Sequence, residues 1–296
     1  MHTFCADVSR QNQESFLGTA SPVRFWLMIE CPEPWGNSAL KESSLTEGVK
    51  QHLLKLYDGS SAVRIQLIKK NDQPASLLNI FWADCAAQKD RLWHGQVNSY
   101  QELLTIDFAD FISKSPTAPF QETAQTHFFI CTNGKHDPCC AKYGSNLFLT
   151  VASQCDNVWQ TTHLGGDRFA ANVLSLPHGA YYRRVDQPGL ASIIANEKAQ
   201  KVTLAHFAGR SCYSRAIQAG ECLVREKAQL YGWQDLQLEQ FEGDENAAQI
   251  IFKANNAQYH CVSIKRIQTN QFARFTCNAS EADQIARYEL ISYQLQ

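Results

Sequence analysis

Thr126-His-Phe-Phe-Ile130, Cys131-Thr-Asn-Gly-Lys-His-Asp-Pro-Cys-Cys140 and Asn157-Val-Trp-Gln-Thr-Thr-His163 decide how this chain folds. The first run is short and apolar, the pattern of a buried strand, and it leads straight into Cys131. Asp137 suits an N-cap and Pro138 the first helical position, which predicts a helix from about 138 to 152. The third run reads as a second strand. A hairpin of 172–176 with 180–185 around Pro177-His-Gly179 follows, then a helix over 190–201. The order β-α-β-β-α over residues 120–205 is compatible with a thioredoxin-like layout.

The same order is legible upstream. Residues 23–30 predict a strand, and Val49, Leu53, Leu54 and Leu56 form a helical stripe within 46–57. Strands follow at 62–68, 77–82 and 91–97, with Asp72-Gln-Pro74 as the turn between the first two. Leu103, Leu104, Phe108 and Phe111 predict a helix over 99–112. The expected class is therefore α/β, with an N-terminal domain over 1–115 and a second over 120–205, two thioredoxin-like units in tandem. That tandem reading rests on element order, because residue-level similarity between the halves is weak. Ser113-Lys-Ser-Pro-Thr-Ala-Pro119 is the expected linker. Residues 206–296 read as a C-terminal α+β unit: an amphipathic helix within 211–231, then β-like runs at 236–241, 249–253, 259–267 and 288–293. Asn255-Asn256 suits a hairpin turn, since Asn tolerates positive φ.

At 296 residues, with 44 % hydrophobic and 19 % charged residues, the composition is that of a folded globular protein. No apolar run is long enough to cross a membrane as a helix, and the N-terminal residues lack the layout of a secretory signal. A net charge of −2 gives no electrostatic reason to expect a nucleic-acid or membrane partner. Eleven cysteines, an odd number spread along the chain, do not resemble a secreted disulfide framework. The expected setting is the cytoplasm, with most thiols reduced and buried.

Cys131, Cys139 and Cys140 are the exception, because three thiols share one helix-entry loop. Unpaired N–H groups in a first helical turn and the nearby Lys135 favour thiolate, the form that binds metal or attacks disulfides. Neighbouring helical residues point about 100° apart, so Cys139 and Cys140 are not both expected to face Cys131. His163 ends the adjacent strand, and neutral imidazole ligates iron, zinc or copper. Gly165-Gly166 permits a sharp turn or a close approach, and Asp167 is a ligand, a cap or an ion-pair partner of Arg168. His136 and His178 rank lower, being turn residues. Arg168, Arg183 and Arg184 are either solvated surface or groups that offset site charge and dock an acidic partner.

The Cys131–Cys140 spacing, His163-Leu-Gly-Gly-Asp-Arg-Phe-Ala-Ala-Asn-Val173 and Leu176-Pro-His-Gly-Ala-Tyr-Tyr-Arg-Arg-Val185 resemble the sucrase/ferredoxin-like family. Gly18-Thr-Ala20, Trp26-Leu-Met-Ile-Glu30, Pro34-Trp-Gly36 and Gly209-Arg-Ser-Cys-Tyr213 extend the resemblance over most of the chain. It implies a thioredoxin-like ferredoxin domain with a [2Fe–2S] cluster held by two cysteines and two histidines. The matching positions are Cys131, Cys140 and His163; Asp167 stands where the second histidine would be. Carboxylate is an uncommon iron–sulfur ligand, which leaves three outcomes: Asp167 ligates, Cys139 replaces it, or the cluster is labile or absent.

The expected function is thus electron transfer with a redox-protein donor or acceptor, a carrier more than a catalyst. The alternatives are a metal-free thiol–disulfide protein using Cys131 with Cys139 or Cys140, and a zinc-binding or clusterless scaffold. The sequence contains no phosphate loop, nucleophile elbow or dinucleotide fingerprint, and it locates no carboxylate pair of the kind glycoside hydrolysis needs.

Overall fold

The computed structural model describes residues 4–59, 62–73 and 76–296. It is a mixed α/β protein with one large sheet and a separate four-stranded antiparallel sheet. In chain order the elements begin with α1 (Cys5–Gln11), β1 (Phe25–Glu30), α2 (Glu47–Gly59) and β2 (Val63–Lys69). Then come β3 (Leu78–Asp84), β4 (Arg91–Val97), β5 (Gln121–Thr123), β6 (His127–Cys131), α3 (Asn146–Val151) and β7 (Val158–Thr161). After them lie β8 (Val173–Leu176), β9 (Ala180–Tyr182), α4 (Gln187–Lys198), β10 (Phe207–Arg210) and α5 (Arg215–Ala228). The last four strands are β11 (Leu236–Gly243), β12 (Ala247–Ala254), β13 (Tyr259–Ala273) and β14 (Asp283–Leu295). Two compact units interleave along the chain: Met1–Pro22, Gly165–Leu174 and Ala180–Gln296 form one, Val23–Leu164 and Ser175–Gly179 the other. The segments 1–115, 120–205 and 206–296 remain a proposal about folding modules.

Within the second unit the strand order is β6-β7-β2-β1-β3-β4-β5. β1 and β2 run parallel, with α2 between them in the chain, and β6 and β7 run parallel around the helical segment that contains α3. These two pairs meet antiparallel where β2 lies beside β7, with Ile68 opposite Thr161. The remaining neighbours, β3, β4 and β5, add antiparallel. All six residues of β1 are buried, as expected of a strand covered on both faces. Leu53 of α2, Leu27, Ile29 and Leu67 join a core in which Phe25 stacks on Trp82 with ring centroids 5.7 Å apart. Such aromatic pairs contribute beyond their buried area.

One reading needs correction here. Residues 99–112 are not one helix but two 3₁₀ turns, Tyr100–Thr105 and Asp110–Ile112. Leu103, Phe108 and Phe111 do point inward, but the Asp107 carboxylate accepts the Asp110 N–H at 3.2 Å and restarts the chain locally. The predicted turn at Asp72-Gln-Pro74 lies partly outside the described residues, at Pro74.

In the first unit α5 crosses the sheet β11-β12-β13-β14. Gly220 permits the close approach: a Cβ there would lie 2.6 Å from Ile250 Cδ1. Fully buried Glu221 of α5 accepts from Arg210 at 2.8 Å and from Arg225 at 2.9 Å. The Asn255-Asn256 hairpin is present, yet the residue with positive φ is Ala257, at 66°.

The three candidate docking arginines all make hydrogen bonds within the protein. Arg183 is 1 % exposed and donates to the carbonyls of Gly165 (2.5 Å) and Thr19 (2.7 Å). Arg184 donates to the Glu14 carbonyl at 2.7 Å, and Arg168 to the Glu14 carboxylate at 2.6 Å. Gly165 and Gly166 have φ of 93° and 78°, and a Cβ on Gly166 would lie 2.7 Å from the Arg183 guanidinium. The glycine pair therefore serves the arginine. Among the described residues no helix is long and apolar enough to cross a membrane.

Candidate metal centre

Because β6 and β7 are parallel, both end at the same edge of their unit, the edge where ligands gather in α/β proteins. Cys131 is in register with Thr161, and the Thr132 N–H donates to the Thr161 carbonyl at 3.1 Å. Beyond Cys131 the chain turns and enters a helix at Pro138. Asp137 caps it as the sequence predicts, its carboxylate accepting the Cys139 N–H at 2.8 Å.

The next six residues, Cys140–Ser145, form a π-helical turn before α3. Such bulges are frequent at functional sites. Gly144 makes this one possible, since a Cβ there would overlap the Cys131 carbonyl oxygen. The turn lays Cys140 against the end of β6. The sulfurs of Cys131 and Cys140 are 3.3 Å apart, and a His163 ring nitrogen lies within 4.8 Å of both.

His163 is held from both sides. Its carbonyl accepts from Arg64 at 2.6 Å and from Gln66 at 3.1 Å, both on β2. Its ring stacks on that of His136 with centroids 3.7 Å apart. His136 in turn donates from Nδ1 to the Asn37 carbonyl at 3.3 Å, and Asn133 donates to the Gly36 carbonyl at 3.1 Å. The loop after β1 thereby braces the cysteine loop.

A hydrogen bond from Cys140 holds the Cys131 thiol well below its ordinary range. Burial opposes this, while the His163 ring and the Leu164 backbone N–H add to it. Cys31, also buried, shows the opposite behaviour: desolvation, reinforced by Glu33, pushes its thiol up to about 12. A thiol is favoured as thiolate, the form that ligates or attacks, where hydrogen bonds and positive neighbours outweigh burial, as at Cys131 and not at Cys31.

The structure thus brings Cys131, Cys140 and His163 together. Cys139 does not join them; its sulfur lies within 4.8 Å of an Asp137 carboxylate oxygen. Asp167 is 2 % exposed and opens a 3₁₀ turn in the other compact unit. His178 donates from Nδ1 to Asp90 at 2.7 Å, a structural pairing. Sequence reasoning missed Arg64, Gln66 and the stack of His136. A signal existed for the first two: polar residues alternate with Val63, Ile65 and Leu67 along β2.

The donor set of two thiols and an imidazole suits soft or borderline metals. Two thiolates on one metal atom at about 2.3 Å sit about 3.8 Å apart at tetrahedral angles. The observed 3.3 Å is shorter than that, so a shared ion would draw the two sulfurs slightly apart.

A model of the sucrase/ferredoxin-like family matches residues 16–209, well over half of the chain. The chain belongs to this family. No curated protein and no solved structure matches it. The sucrase/ferredoxin-like region includes Cys131, Cys140 and His163 together with Arg64, Gln66 and His136. It stops before α5 and β11–β14.

Proposed function

We propose that this chain is an electron carrier in which Cys131, Cys140 and His163 hold a [2Fe–2S] cluster on a thioredoxin-like ferredoxin scaffold. The observation that carries the reading is the convergence of two sulfurs and an imidazole, within 4.8 Å, at the C-terminal ends of two parallel strands. The family's ferredoxin-like character and the repeated strand–helix–strand order support it. A bound [2Fe–2S] centre supplies one-electron chemistry, and imidazole ligation raises its potential relative to thiolate alone. The chain's own contribution is a preorganised donor set, two buried thiols and a half-buried imidazole, with His163 braced by Arg64, Gln66 and His136. A cytoplasmic setting and a weakly bound redox-protein partner belong to the same proposal.

Anaerobic reconstitution with iron and sulfide, followed by visible and EPR spectroscopy, tests it. A brown protein whose signal is lost in Cys131→Ala, Cys140→Ala and His163→Ala is expected. An unchanged spectrum in His163→Ala overturns the ligand assignment. Asp167→Ala, Cys139→Ala and His136→Ala, examined in parallel, identify the fourth ligand.

A second reading is a single zinc ion on the same donors, favoured by how tightly the three ligand atoms cluster. Colourless protein carrying stoichiometric zinc establishes that reading. Colourless, metal-free protein with a titratable Cys131–Cys140 disulfide establishes thiol chemistry instead.

A further inference from the structure

His136 and His163 help line a cavity of about 330 Å³, bounded also by residues 37–41, α2 and β2. That volume is at the lower end of small-molecule sites. Two cations, Lys41 and Arg64, line it, and no acidic side chain does. Arg64 donates to the carbonyls of His163 at 2.6 Å and Leu164 at 3.3 Å and packs over Trp26, 5.6 Å from the ring centroid. Neither Arg64 nor Lys41 has a carboxylate partner among the described residues. A guanidinium carries five N–H donors, so two carbonyl bonds leave donors for a ligand.

The nearest acidic residue in the chain, Glu42, is engaged elsewhere. Its carboxylate accepts the backbone N–H groups of Ser38 at 2.9 Å and Asn37 at 3.1 Å. Those bonds hold the carboxylate on the Asn37–Ser38 backbone, and it makes no ion pair with Arg64 or Lys41 among the described residues. The cavity wall carries an apolar group, Ala39, Leu40, Leu54, Ile65 and Leu67, alongside neutral polar side chains and the two cations. A bare inorganic anion would satisfy the cations and leave that wall wet. An apolar body bearing one anionic group satisfies both.

We propose that this cavity binds a small organic carboxylate, its anionic end on Arg64 and Lys41 and its apolar body against Leu40, Leu54 and Leu67. The proposal does not depend on which metal, if any, Cys131, Cys140 and His163 hold.

The test is calorimetric titration of the full chain, before and after iron loading, at low ionic strength with benzoate, benzamide and inorganic phosphate. Benzoate is expected to bind saturably at one site, with benzamide and phosphate at least tenfold weaker. Arg64→Gln and the exposed Lys41→Glu are each expected to weaken benzoate at least tenfold. Lys41→Glu covers the case in which Arg64→Gln disturbs the fold. No saturable benzoate binding in either form of the protein overturns the proposal, whatever the spectrum shows about iron. So does benzamide binding as tightly as benzoate, phosphate binding more tightly, or benzoate binding unchanged in Lys41→Glu.

Discussion

The imidazoles of His136 and His163 stack face to face, with centroids 3.7 Å apart and planes 21° from parallel. One ring belongs to the cysteine loop and the other follows β7, so the stack ties together the two segments that supply the sulfurs and the ring nitrogen. Loss of a residue that orients a metal ligand typically costs 10–100-fold in affinity. His136→Ala is accordingly expected to weaken metal retention by about 10-fold or more, measured by chelator competition. His136→Phe preserves a stacking surface and is expected to recover most of it. Equal losses in both variants would instead identify His136 as a ligand.

Gly144 presses on the Cys131 carbonyl, and no side chain fits there. Gly144→Ala is expected to lower stability by about 1–3 kcal/mol, the usual range for overpacking. It also displaces the Cys140 turn from the end of β6. A lower thermal midpoint together with reduced metal content checks this; reduced metal content without destabilisation would contradict it.

His127 lies on β6, 8 % exposed, and its Nδ1 accepts a hydrogen bond from Trp159 Nε1 at 3.2 Å. That bond requires an unprotonated Nδ1. Burial, then the charges of His94 and Lys70, lowers the His127 pKa to about 4. The unfolded chain takes up the proton near pH 6.5 while the folded chain refuses it, so stability falls as pH drops from about 6.5 toward 4. The expected slope is up to about 1.4 kcal/mol per pH unit for this group. Urea unfolding at pH 7, 6 and 5 should show it, and His127→Phe should flatten it. His94, lowered in the same direction mainly by burial, leaves a smaller residual slope.

Glu221 stands between Arg210 and Arg225 with all three side chains at most 2 % exposed. Removing the anion leaves two guanidinium groups buried without it. Glu221→Gln is expected to cost about 3–5 kcal/mol, read from the denaturant midpoint. A loss under about 1 kcal/mol would mean that the backbone carbonyls accepting from Arg225, those of Leu230 and Gly232, suffice.

Local chemistry determined much of this protein by itself. Runs of β-branched and aromatic residues marked the strands, and Asp137-Pro138 marked the helix entry that carries Cys140. These signals are legible because they depend on neighbours in the chain: propensity, capping and period. Tertiary structure decided the rest. It broke the 99–112 stripe into two turns, buried Arg183 against carbonyls of residues 19 and 165, and set His136 on His163. It also brought Arg64 and Gln66 to the His163 carbonyl across almost a hundred residues of sequence. Contacts of that kind depend on which strands become neighbours and in which direction they run. The parallel pairing of β6 with β7 is therefore what turns three separated donors into one site.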